Sequence, residues 1–271
     1  MSIQVLTNMR YFLAIMAVVA IVFVWQVPTD KQENVDFDKP STSQVVLEEK
    51  TVSPTDNQPP TTKIPADKEV IQDNEVVNKL IDQDVPFTSQ APFGGWEDER
   101  QQDGCEEASA LMAIYWLRGE SLSKLVAWQK IIAISDFQQK NYGEYRDIAL
   151  TDVIDHIFKD YFKYDQVDLK NNITINDIIV ALNNGNLVLA PMDGQKLNNP
   201  YFTAPGPERH MLVIRGYDPA TKEFITNDPG TKRGEAYRYN ETVLFEAIRA
   251  YPTGYHEPID KIEKNIIIVS K

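Results

Sequence analysis

Three residue types set at wide spacing carry the chemistry this sequence can support. The chain has one cysteine, Cys105, and three histidines, at 156, 210 and 256. Cys105 directly follows Gly104 and opens the run CEEASALMAIYWLRG. A sulfur in the first turn of a helix faces free backbone N–H groups and the positive end of the helix dipole, which favour the thiolate. Packing as a small apolar residue is the ordinary fate of a lone cysteine. The helix-start position points instead to a nucleophile. A thiolate hydrolase also needs a proton carrier oriented by a third polar group. His210 is the best placed histidine, because it opens the apolar strand HMLVIRGYD after the turn-rich PGPER. His156, in a helical pattern, and His256, in the turn-like YHEP, read as structural or exposed.

The orienting group follows from a hairpin. If 210–218 and 222–228 pair through the turn DPAT, the far end of the second strand returns beside the start of the first. That puts Asp228, or else Asn227, within reach of His210, where it can fix the imidazole tautomer. Asn227-Asp228-Pro229-Gly230 is also good turn chemistry in its own right.

The elements that must position these groups change period along the chain. Residues 105–119 predict a helix, with Ala108, Leu111, Met112, Tyr115 and Trp116 on one face and Gly119 as its stop. Further helices are expected at 121–134, 149–162, 174–184 and 241–251. Strands are expected at 85–90, 187–192, 210–218, 222–228, 236–240 and 265–270. Helices first and strands afterwards make an α+β domain over 83–271.

Cys105 heading an Ala-rich helix, the strand beginning His210-Met211-Leu212-Val213, and Asn227-Asp228-Pro229 together resemble the bacteriocin-processing cysteine peptidases and their broader "like" family. That family is a branch of the papain-like fold. VPFTSQ (85–90) is similar to the family's opening strand, whose last glutamine supplies an oxyanion-hole donor. The resemblance covers roughly residues 83–270. It implies a papain-like fold with a helical half followed by an antiparallel sheet, a Cys–His–Asp triad, and cleavage of peptide or related amide bonds. By it Cys105 is the nucleophile, His210 the general base, Asp228 the orienter and Gln90 the oxyanion donor. Where the family usually carries glycine after its cysteine, this chain has Glu106 and Glu107. Gln90 is separated from Cys105 by APFGGWEDERQQDG, so Gln101 and Gln102 compete for the oxyanion role. Phe93 and Trp96 in that insert either line a substrate groove or pack. The carboxylate pairs at 98–99 and 106–107 read as solvated rather than as a glycosidase dyad.

Composition narrows the rest. With 42% hydrophobic residues a sizeable core can form. Residues 29–84 hold 13 acids against 6 lysines, and 85–271 hold 27 acids against 20 bases. No stretch is basic enough to follow a phosphate backbone, which argues against nucleic acid as a partner. A single cysteine rules out an intramolecular disulfide and a multi-thiolate zinc site. No phosphate loop, His-x-x-x-His or EF-hand spacing occurs, so neither a cofactor nor a metal is expected.

Residues 11–27, YFLAIMAVVAIVFVWQV, carry no charge, and Arg10 precedes them. Segment 1–28 therefore reads as an uncleaved transmembrane signal anchor, and 29–82 as a disordered acidic, Pro-rich linker. A short helix is expected over 70–81. The expected protein is a single-pass membrane protein whose C-terminal domain works outside the cytoplasm. It would act on a peptide or peptidoglycan-like substrate. The alternatives are an inactive papain-like adaptor module or a cell-wall amidase or acyltransferase. Oligomeric state is left open by the sequence.

Overall fold

The computed structural model describes residues 79–271. The anchor over 1–28 and nearly all of the linker lie outside the described residues, as does most of the short helix expected over 70–81. Where that helix would end, Ile81–Asp82 instead forms a two-residue strand, β1, paired antiparallel with Tyr217 and Gly216. Among the described residues, no helix is long and apolar enough to cross a membrane.

The domain is α+β, with an antiparallel sheet. After β1 come β2 (Val167–Lys170), β3 (Leu187–Met192), β4 (His210–Asp218), β5 (Glu223–Asn227), β6 (Tyr237–Asn240) and β7 (Ile266–Val269). They lie in the order β2-β7-β3-β4-β5-β6, with β1 beside one end of β4. The helices are α1 (Glu99–Gln102), α2 (Cys105–Arg118), α3 (Lys124–Tyr142), α4 (Leu150–Asp152), α5 (Ile175–Asn183) and α6 (Glu241–Ala247). From Val153 to Tyr161, α4 continues in the wider π-helical winding.

Helices cover both faces of the sheet. Leu187, Leu189, Met211, Val213, Ile267 and Val269 pack with α2 and the π-helical segment. Val188, Ala190, Met192, Leu212, Ile214 and Ile266 pack with α5 and α6. Because strand side chains alternate between faces, burial on both sides makes LVLAPM and HMLVI read as unbroken apolar runs. These two strands begin and end where the sequence places them.

Other expectations shift for local reasons. The run 85–90 is not a strand. The Val85 carbonyl accepts from Asn227 Nδ2 at 3.1 Å, and the Gln90 N–H donates to the Pro229 carbonyl, so side chains and a loop satisfy this extended segment. Helix α3 starts later than expected, where Ser123 caps Val126 N–H, and runs on to Gly143, whose φ of 84° ends it. Helix α6 stops at Ala247, because Ile248 forms an isolated bridge to Met192. Strand β2, paired with β7, was not expected. Helix α2 is buried on every side from Cys105 to Trp116, not along one face. Its Ala108, Leu111 and Tyr115 meet Ala127 and Ile131 of α3, while Met112, Ala113 and Trp116 face the sheet.

Candidate active site

A cleft of about 1160 Å³ opens between the start of α2 and the near ends of β4 and β5, and both Cys105 and His210 line it. Cys105 is the first residue of α2 and 6% exposed. The approach that brings α1 so close requires glycine at 104. A Cβ there would lie 2.5 Å from the Arg100 carbonyl and 3.0 Å from Ile131.

On the sheet side, His210 begins β4 and is buried. Its Nε2 meets Asp228 Oδ1 at 2.8 Å, leaving Nδ1 as the nitrogen without a protein partner. The ring is fixed by contact as well. Phe202 stands edge-on at 5.5 Å, and a Cβ at Gly230 would fall 2.9 Å from His210 Cε1.

Asp228 is wholly buried yet fully satisfied. Gly230 N–H donates to Oδ1 at 3.0 Å, while Tyr239 OH at 2.6 Å and Asn199 Nδ2 at 3.4 Å donate to Oδ2. Burial pushes the carboxyl up, but the His210 charge and these hydrogen bonds outweigh it and hold the pKa below the ordinary value. Asn227, the other candidate, turns away: its Nδ2 donates to Val85 O and its Oδ1 accepts from Ala236 N–H. Tyr239 and Asn199 escaped sequence reading. Nothing in AYRYN or in the 193–209 segment marks them as partners of a residue in another strand.

On the helix side the thiol bonds elsewhere. Cys105 Sγ donates to Glu106 Oε2 at 3.1 Å, and Tyr251 OH donates to Glu106 Oε1 at 2.7 Å. The same Tyr251 hydroxyl lies 3.3 Å from the His210 carbonyl. Burial, then the charge of Glu106, pushes the Cys105 thiol well above its ordinary range. Burial likewise raises Glu106 to about 7. Glu107 is buried too, accepting from Gln138 Nε2 at 2.7 Å and Ser135 Oγ at 3.3 Å, with Oε2 unpartnered. The 106–107 pair is therefore not solvated as expected. Their helix has no exposed face over its first three turns, so neither carboxylate can reach water.

Of the three glutamines, Gln90 lines the cleft, with its Nε2 held by the Gln102 carbonyl at 2.7 Å. Gln102 itself is exposed at the cleft edge, whereas Gln101 is buried against Gly95 and does not line the cleft. Phe93 and Trp96 are both exposed and both line the cleft, opposite to the packing alternative. Tyr201 and Tyr255 add two more exposed aromatic walls. His256 also lines the cleft, its Nδ1 2.9 Å from Arg209. His156 stacks on Tyr142 away from it. Among the described residues, no cluster of histidine, cysteine and carboxylate side chains can hold a metal ion.

Comparison with known proteins places the domain. The model of the Peptidase_C39-like family matches residues 82–255. No curated protein matches the chain. One solved structure similar to it is a crystal structure described as a C39-like peptidase from Bacillus anthracis. It is 14% identical, with 71% of this chain and 98% of that chain covered and a TM-score of 0.44.

Proposed function

The chain belongs to the Peptidase_C39-like family, and from that premise we propose that it is a membrane-anchored cysteine hydrolase cutting peptide or related amide bonds outside the cytoplasm. The observation that carries this reading is the 2.8 Å contact between His210 Nε2 and Asp228 Oδ1. With Nε2 committed to Asp228, the imidazole offers Nδ1 to the cleft that Cys105 lines. Cys105 attacks the carbonyl carbon. The oxyanion is held by backbone N–H at the start of α2 and by the remaining Gln90 amide hydrogen, since the Gln102 carbonyl takes the other. As the S–C bond forms, His210 Nδ1 takes the thiol proton, and as the C–N bond breaks it passes that proton to the leaving amine, while Asp228 fixes its ring. Water then hydrolyses the thioacyl-enzyme. Substrate aromatic or aliphatic groups, or sugar faces, would lie against Phe93, Trp96, Tyr201 and Tyr255, whose exposed rings suit both.

The test is hydrolysis by the full chain of a denatured-protein digest and, separately, of peptidoglycan fragments, read by mass spectrometry. We expect new amine termini that vanish in Cys105→Ala and His210→Ala. Cleavage unchanged in Cys105→Ala would sink the reading. A second reading, a papain-like binding module without turnover, is favoured by one observation: at rest the thiol bonds to Glu106, not to His210. No cleavage of either substrate by the native chain would favour it.

A further inference from the structure

Transfer of the thiol proton to His210 has to begin from a sulfur that already donates elsewhere. Cys105 Sγ bonds to Glu106 Oε2 at 3.1 Å, and Tyr251 OH holds the other carboxyl oxygen at 2.7 Å. Resting on the reading of Cys105 as nucleophile, we propose that Cys105, Glu106 and Tyr251 form a pH-sensitive latch. Ionised Glu106 keeps the thiol protonated, and a proton taken up by Glu106 opens the way from Sγ to His210 Nδ1.

The closed state follows from the contacts. Glu106 is 1% exposed, and Cys105 beside it is 6% exposed. A thiolate formed there would lose its hydrogen bond and face a like charge across 3.1 Å with little water to screen it. A protonated carboxyl reverses both effects, because its O–H can donate to the sulfur anion.

Tyr251 carries the change to the other half of the site. Its hydroxyl has one hydrogen and two acceptors in reach, Glu106 Oε1 at 2.7 Å and the His210 carbonyl at 3.3 Å. An ionised carboxylate takes that hydrogen. A proton on Oε1 would donate to the hydroxyl oxygen instead and turn its hydrogen to the His210 carbonyl. One protonation event therefore reaches both the nucleophile and the strand that bears its base.

The groups around Glu106 place the latch near neutral pH. Cys105 and Glu107 face it from α2, Tyr251 from the segment after α6, and Asp147 from the loop before α4. Ser135 and Gln138 of α3 are spent on Glu107. Arg209 stands 3.8 Å from Asp147, Asp103 lies near the same aspartate, and His210 is held by Asp228. Among the described residues no cation donates to Glu106, and burial raises its carboxyl to about 7.

Iodoacetamide alkylation of Cys105 in the full chain, followed from pH 4 to 10, tests the latch. Glu106→Gln keeps the size of the side chain and cannot ionise. The comparison is made with His210 present and again in His210→Ala, which removes any break caused by the imidazole. With Glu106 in place the rate should climb about tenfold per pH unit up to about 7 and then flatten, as loss of protonated Glu106 offsets each further gain in thiolate. In Glu106→Gln the climb continues, so the two chains alkylate alike at pH 5 and the variant is about tenfold faster at pH 8. Tyr251→Phe, which deletes a hydrogen bond that lowers Glu106, should move the flattening to higher pH. Thermal melting of each variant separates these effects from unfolding, and Tyr251→Phe carries the test if Glu106→Gln does not fold. Alkylation in Glu106→Gln that is equal or slower at pH 8, or faster by the same factor at every pH, would overturn the latch. So would a flattening that stays in place in Tyr251→Phe. Hydrolysis that survives in Cys105→Ala would instead refute the nucleophile itself, whatever the alkylation profile.

Discussion

Two groups of carboxylates are buried on opposite sides of one cleft, and burial leaves them in opposite states. On the sheet side Asp228 has no exposure but receives four donors, one of them a histidine, and its carboxyl is held below the ordinary value. On the helix side Glu106 and Glu107 are equally enclosed. They receive two donors each, none a cation, and both are pushed up. The desolvation cost is common to both sides, so the supply of donors decides the sign. The sheet side is built to keep a charge, the helix side to give one up.

The largest test of this contrast is Asp228→Ala. It strands the His210, Tyr239 and Gly230 donors in a dry site. We expect a loss of about 3–5 kcal/mol in chemical denaturation, and any hydrolytic activity should drop by about 10²–10⁴-fold. A cost below 1 kcal/mol would mean that the four donors are not what holds the aspartate.

The next effect is a pH slope. Glu106 rises from an ordinary 4.5 to about 7 in the fold, so its contribution is fully present below 4.5 and is lost as pH climbs to about 7. That window should lower stability by up to about 3 kcal/mol, with the slope flattened in Glu106→Gln. Asp228 acts in the other direction, its contribution present above the ordinary carboxylate value and lost only as pH falls through its lowered one. Denaturation midpoints measured from pH 4 to 8 that stay level would contradict the helix-side half of the contrast.

Tyr239→Phe removes a single donor from Asp228, and a loss of about 2 kcal/mol is expected from equilibrium unfolding. The smallest effect carries the opposite sign. Glu107→Gln replaces a carboxyl that has an unpartnered buried oxygen. It should leave stability at pH 7 unchanged or raise it by about 1 kcal/mol; a loss above 2 kcal/mol would show that the ionised form is the one the helix needs.

The same contrast separates what was legible in the sequence from what was not. Strands β3 and β4 could be read to the residue, because covering both sheet faces turns them into unbroken apolar runs. The hairpin geometry that puts Asp228 near His210 follows from strand period and turn chemistry, both local. Strand β2 escaped because VDLK is short, with Asp168 and Lys170 interrupting the apolar pattern. The run 85–90 misled because its β-rich composition is satisfied by side chains instead of a neighbouring strand. The burial of Glu106 and Glu107 was the least legible. Acidic residues in a first helical turn normally face water, and only the packing of α3 and the Tyr251 segment around α2 closes them in.

The His210–Asp228 bond spans 18 residues within one hairpin, whereas Ser109 Oγ on α2 reaches the Met211 carbonyl across 102. Short loops close at lower entropic cost than long ones, so the hairpin is expected to form before α2 docks on it. Until that docking the sulfur lacks the sheet-side walls of its cleft, and it passes through refolding as an open thiol exposed to oxidation. Pulsed alkylation during refolding should therefore label Cys105 after the β4 amides have already become protected from exchange. A sulfur protected as early as those amides would reverse this order.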